Sequence, residues 1–302
     1  MNLDILIKNV TAVTLQEGAA VIPCACIGVK DGRIAFMQEV CDKSIPCPLS
    51  EVKRVIDGEG KVLIPGLYNA HTHVPMTLLR GYANDRTLED WLYNFIFPAE
   101  ARFTPAMSRT GANLAIAEMI ASGTISFSDM YFHMDTIAEA VDAAGVKANL
   151  SNGLITFDPE NFVFEDSRGY SETMNMLNGV HKAPHGRIVA EASIHGVYTS
   201  TDAQWRRAAE FAREHSLRMY VHLSETATEH NGCVEKHGAT PAQMFARHGV
   251  FDVPTTAAHT VWVTDEDISI LAEKGVSAAH CPVSNLKLAS GIAPVRKCWK
   301  KA

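Results

Sequence analysis

Nowhere in the 302 residues do about 18 apolar residues run together, so the sequence predicts no membrane-spanning helix. The opening Met1-Asn-Leu-Asp-Ile-Leu-Ile-Lys8 has neither a basic n-region nor a long apolar h-region, and the expectation is a soluble, cytoplasmic, non-exported protein. Basic residues cluster only at Arg296, Lys297, Lys300 and Lys301, and the net charge is −7, which makes nucleic acid a poor partner. Two Cys-x-x-Cys pairs, which would frame a zinc ribbon, are lacking. The seven cysteines (24, 26, 41, 47, 233, 281, 298) are odd in number and scattered, as expected of reduced thiols. Long repeats and low-complexity tracts are lacking as well. With 47% hydrophobic and 20% charged residues the chain can bury a sizeable core, and its length suits one large α/β domain plus a small one.

The most informative stretch is Val62-Leu-Ile-Pro-Gly-Leu-Tyr-Asn-Ala-His-Thr-His73, an apolar run ending in two histidines one residue apart. Side chains at i and i+2 of a strand share a face, so His71 and His73 would project together from its carboxyl end. Neutral imidazole ligates zinc, iron or nickel. A lone His-x-His is equally consistent with two polar residues closing a strand, and the rest of the chain must decide.

The texture changes near residue 60. Residues 3–15 and 22–37 alternate apolar and polar residues around an Asp31-Gly32 turn, predicting a small antiparallel β unit within a first domain, 1–59. In a second domain, 60–302, strand candidates at 123–130, 146–155, 187–195, 217–223, 254–261 and 275–280 alternate with helix-like segments such as 105–121, 135–144 and 202–215. Repeated β-α units predict a parallel sheet closing into a TIM-like (β/α) barrel, with the His71 strand first and 275–280 seventh. Residues 156–186, rich in Asn, Asp and Gly, read as an excursion over an active site. Catalytic groups of a barrel lie at the carboxyl ends of its strands. His195, His222 and His259 close three further predicted strands, and Glu225 follows His222 by three residues.

Four segments resemble the metal-dependent amidohydrolases, in the branch that contains the 5-methylthioadenosine and S-adenosylhomocysteine deaminases. They are Pro65-Gly-Leu-Tyr-Asn-Ala-His-Thr-His-Val-Pro-Met-Thr-Leu-Leu-Arg-Gly-Tyr82, Leu88-Glu-Asp-Trp-Leu92, Val221-His-Leu-Ser-Glu-Thr226 and Cys281-Pro-Val-Ser-Asn-Leu-Lys-Leu-Ala289. The resemblance runs from about residue 3 to 295 and implies a distorted TIM barrel carrying a small β-sandwich, of which the N-terminal residues form part. It implies that His71, His73 and His222 hold one divalent ion, zinc first, with iron, manganese or nickel accepted by the same donors. Such an ion lowers the pKa of water from 15.7 to roughly 7. Glu225 would shuttle a proton to the ring nitrogen beside the attacked carbon, and His259 would orient or polarise the attacking water. The implied substrate contacts are His195 to purine or sugar, Glu100 to the ribose hydroxyls, Trp91 to the adenine or thioether end, and Arg168 to the amino-acid carboxylate of S-adenosylhomocysteine.

The implied reaction is hydrolytic deamination of an adenosine-type thioether nucleoside to its inosine analogue, with a small-molecule nucleoside as partner, no nucleic acid or membrane, and a homo-oligomer allowed. The pattern departs from the family in one place. An aspartate in a Gly-Thr-Asp-like eighth strand is expected after Ala289-Ser-Gly-Ile-Ala-Pro-Val295, where the chain instead reads Arg296-Lys-Cys-Trp-Lys-Lys-Ala302. The expectation is therefore a barrel incomplete at its C-terminal end. The rival readings are a noncatalytic truncated fragment and an aminohydrolase acting on guanine, triazine or cytosine.

Overall fold

The computed structural model describes residues 2–15, 20–40, 48–156, 158–179 and 186–301, so that Cys41 and Cys47 lie outside the described residues. Two compact units divide the chain, Met1–Leu67 and Tyr68–Ala302. In the first, β1 (Leu3–Val13) lies inside a five-stranded sheet with β2 (Val21–Lys30), β3 (Arg33–Glu39), β4 (Val52–Asp57) and β5 (Val62–Leu63). Asp31 and Gly32, with φ of 51° and 70°, supply the two left-handed positions that a tight hairpin needs between β2 and β3. The alternating segments 3–15 and 22–37 pair antiparallel as expected, whereas β4 and β5, which lie outside them, run parallel to β1. Alternation reports one buried face and is silent on strand direction.

The second unit is α/β with parallel sheets. One sheet has the order β6 (Leu67–Thr72), β7 (Thr124–Met130), β8 (Lys147–Ser151), β9 (Ile188–Ala190). The other has β10 (Ala192–Ile194), β11 (Met219–Leu223), β12 (Thr255–His259), β13 (Ser277–Ala279). Pairing is parallel from β7 to β9 and from β10 to β13. Only Glu191 separates β9 from β10, so 188–194 is one strand position broken once, and seven positions result among the described residues, the number the sequence count expects. Every residue of β11 is buried, as in a strand covered on both faces.

The helices begin where capping chemistry allows. Thr104 accepts from the Met107 amide and Pro105 occupies the first turn of the helix Pro105–Ala121, where a missing N–H costs nothing. Its buried residues Ser108, Gly111, Ala112, Ala115 and Ile116 follow the i, i+3, i+4, i+7, i+8 spacing of one face. That face meets the turn after His73. A methyl on Gly111 would stand 2.5 Å from the Pro75 carbonyl oxygen, and the Thr77 hydroxyl donates to the Gly111 carbonyl. Thr201 and Thr264 open the helices Asp202–Glu214 and Asp265–Glu273 with capping boxes.

The 156–186 segment is more regular than its composition suggests. It contains the helix Arg168–Asn178, capped by Ser167, which packs Tyr170, Met174 and Leu177 against the core. Residues 157 and 180–185 lie outside the described residues. Among the described residues no helix is long and apolar enough to cross a membrane.

Candidate functional site

His71 sits on β6 and His73 just beyond its end, where the backbone has left the extended region (φ −128°, ψ 76°). His222 is buried on β11, and His259 closes β12 with φ of 72°. The four rings converge. The centroid of His71 lies 4.9 Å from that of His73, 4.9 Å from that of His222 and 5.0 Å from that of His259. The His73 and His222 centroids are 5.3 Å apart.

Each ring has its Nδ1 engaged. His71 meets the Tyr220 hydroxyl at 2.6 Å, His73 the Met130 carbonyl at 2.6 Å, His222 the His195 carbonyl at 2.6 Å, and His259 the Asn285 side-chain oxygen at 2.8 Å. A carbonyl or amide oxygen can only accept, so the proton sits on Nδ1 of His73, His222 and His259, leaving a lone pair on Nε2. Burial pushes all four imidazoles below their ordinary pKa, His259 to about 4, and keeps them neutral. Neutral, Nδ1-anchored, convergent imidazoles could hold a divalent transition-metal ion.

Among the described residues, His71, His222 and His259 offer ligand atoms within 4.8 Å of one another. The sequence expectation has His73 in that triad instead of His259. The structure brings all four rings together, and His73, whose Nδ1 reaches the Met130 carbonyl, stands outside that set of three.

Glu225 is buried after β11, beyond Ser224 at φ 47°, and its carboxylate lies 3.5 Å from the His259 Nδ1. Both oxygens of Glu229 clamp this turn, one accepting from the Ser224 amide at 3.0 Å and the other from the Glu225 amide at 2.7 Å. Burial, with added repulsion from Glu229 and Glu89, pushes the Glu225 carboxyl up to about 8. It therefore holds a proton near neutral pH.

The remaining predicted residues line one cavity of about 440 Å³, which contains Trp91, Glu100, Arg168 and His195 and reaches the metal-ligand candidates at His73. Burial raises the Glu100 carboxyl to about 7, against the Tyr131 hydroxyl, which pulls it down. Arg168 is the first residue of its helix, exposed, with its guanidinium 5.5 Å from the Phe132 ring centroid. The His195 Nδ1 reaches the Thr199 hydroxyl at 3.2 Å.

Sequence reasoning missed Tyr220, Glu229, Asn285 and Tyr131. Two of these carried a readable signal: Tyr220 shares a strand face with His222 by its i−2 spacing, and Asn285 lies in the segment Cys281–Ala289.

The Amidohydrolase family profile matches residues 62–301. The chain belongs to this family. Among amidohydrolase relatives, a 5-methylthioadenosine/S-adenosylhomocysteine deaminase of Acetivibrio thermocellus is 40% identical over 97% of this chain and 66% of its own length. A 5'-deoxyadenosine deaminase of Methanosarcina mazei is 40% identical over 99% of this chain and 67% of its own. The crystal structure of an adenosine deaminase from Xanthomonas campestris with bound zinc superposes with a TM-score of 0.90 at 32% identity, covering 99% of this chain and 67% of that one. The chain thus spans about two thirds of the length of these amidohydrolase relatives.

Proposed function

We propose that this chain carries the catalytic machinery for hydrolytic deamination of an adenosine-type thioether nucleoside, S-adenosylhomocysteine or 5'-methylthioadenosine, to its inosine analogue with release of ammonia. The carrying observation is the direct abutment of the four-histidine cluster on a largely apolar cavity that holds a carboxylate, an aromatic and an imidazole. The names of the relatives support the same substrate class.

His71, His73 and His222 would hold the ion, zinc in this reading, leaving His259 on the side of the acid–base groups because its Nδ1 is the one beside the Glu225 carboxylate. When bound, the ion supplies Lewis acidity that brings the pKa of water to roughly 7. Glu225 gives its proton to the purine nitrogen next to the attacked carbon, which makes that carbon more electrophilic, and takes one back from the attacking water. His259, held by Asn285, orients that water. Glu225 passes that proton to the amino nitrogen, the C–N bond breaks, ammonia leaves, and the remaining hydroxyl returns its proton to Glu225 as the carbonyl forms. Glu100 accepts from the ribose hydroxyls, His195 contacts purine or sugar, Trp91 packs on the adenine or thioether end, and Arg168 at the exposed rim pairs with an amino-acid carboxylate.

The seven strand positions read as those of a TIM-like barrel comprising 60–302, with 1–59 part of a small β-sandwich and the whole working in the cytoplasm. The test is a panel of zinc-loaded assays by ammonia release on methylthioadenosine, S-adenosylhomocysteine, 5'-deoxyadenosine, adenosine, guanine and cytosine. Preferential turnover of the two thioether nucleosides supports the reading. No turnover, or a preference for guanine or cytosine, overturns it.

A further inference from the structure

The four clustered histidines are not anchored alike. His73 and His222 donate to backbone carbonyls, which no substitution removes, and His259 donates to an amide side chain. His71 alone meets a hydroxyl, that of Tyr220, a group that can donate or accept.

Tyr220 settles its own direction. Its hydroxyl lies 2.8 Å from the Ala70 carbonyl, which can only accept, and 2.6 Å from the His71 Nδ1. A phenol has one proton. If that proton went to His71, the phenol and carbonyl oxygens would face each other at 2.8 Å as two acceptors with nothing between them. Both contacts are satisfied only when Tyr220 donates to Ala70 and accepts from His71. The proton of His71 is thereby held on Nδ1 and the lone pair on Nε2. The Tyr220 ring is fully buried in β11, two residues before His222 and on the same strand face, so this contact also ties two of the clustered histidines to one rigid element.

We propose that Tyr220 is a positioning residue of the metal centre: its hydroxyl fixes the tautomer and ring orientation of His71 and thereby sets the affinity for a divalent ion. Removing such an outer partner of a ligating histidine typically weakens metal binding by about 10–100-fold. This inference rests on the reading that the clustered histidines hold an ion.

Two measurements on full-chain wild type and Tyr220→Phe test it separately. In the metal-free proteins, nitrogen-15 imidazole shifts, with His71 assigned by comparison with His71→Gln, report which ring nitrogen is protonated. Wild type is expected as the Nδ1–H form and the Phe variant as a mixture of tautomers. In competition with a chromophoric chelator, zinc affinity is expected to fall about 10–100-fold in the variant, while circular dichroism of the metal-free protein stays unchanged. An unchanged His71 tautomer, or a zinc affinity within about twofold of wild type, overturns the proposal. Wild type that binds no zinc overturns the metal reading instead, and the tautomer comparison still decides what Tyr220 does. If Tyr220→Phe does not fold, wild type alone remains decisive: an Nδ1–H tautomer at His71 supports the assignment and an Nε2–H tautomer refutes it.

Discussion

Replacing Gly111 by alanine tests how closely the helix Pro105–Ala121 must approach the turn behind the metal-ligand candidates. The new Cβ would lie 2.5 Å from the Pro75 carbonyl oxygen, 2.8 Å from its Cα and 3.0 Å from its carbonyl carbon. Carbon atoms rest at about 3.5–4.0 Å, so helix and turn must separate by roughly 1 Å. The obstacle is backbone, which cannot rotate aside as a side chain can. Overpacking of this kind costs about 1–3 kcal/mol, and the upper end applies. Alanine returns about 1 kcal/mol of helix propensity. The net loss is about 2 kcal/mol, a fall in Tm of roughly 4–8 °C. His73 immediately precedes the displaced turn, so zinc affinity should fall with stability.

Gly232, in the helix Ala227–His237, is the internal control, because a Cβ there meets nothing within 4 Å. Gly232→Ala should gain about 0.4–1 kcal/mol. Thermal unfolding and chelator competition on both variants read the outcome. If Gly111→Ala is as stable as wild type, or is stabilised like Gly232→Ala, the close-approach argument is refuted.

Glu225→Gln should keep its metal and lose about 10²–10⁴-fold in kcat, the usual contribution of a positioned proton donor; an unchanged kcat would remove its assigned role. His222→Ala should lose metal along with activity, and a variant with full zinc content by elemental analysis would refute ligation. Glu191 is buried in the break between β9 and β10, and burial pushes its carboxyl up to about 7 from 4.5, against the opposing pull of Arg218 and Asn149. A raised folded-state pKa contributes stability that is full below about 4.5 and is lost as pH rises through about 7. Wild-type stability should therefore fall by on the order of 3 kcal/mol across that window from this group. Glu191→Gln should flatten the fall in denaturant titrations, and an identical pH slope in the variant would show that Glu191 is not its source.

Local rules made much of this legible in advance. Pro105 in a first turn after a Thr cap, and an apolar face repeating through Ile116, give the helix Pro105–Ala121 its bounds in sequence and structure alike. The histidines at 71, 222 and 259 were readable because strand candidates end at them and parallel α/β folds present their chemistry there. The helix Arg168–Asn178 was not readable from a composition of turn formers. Its stability comes from Tyr170, Met174 and Leu177 packing on distant residues, a tertiary contribution that local propensity does not contain.

The sequence by itself determined the order of the site-bearing strands, the residue types available for metal and proton chemistry, and the strand ends that carry them, because periodicity and capping act over a few neighbours. Only the tertiary structure decided which imidazoles converge, which nitrogen of each is left to bind, and that Trp91, Glu100, Arg168 and His195 share one cavity. Those facts depend on contacts such as Tyr220 with His71, between residues 149 positions apart, and on the dielectric burial that keeps the cluster neutral. Packing sets both, and no local pattern encodes them.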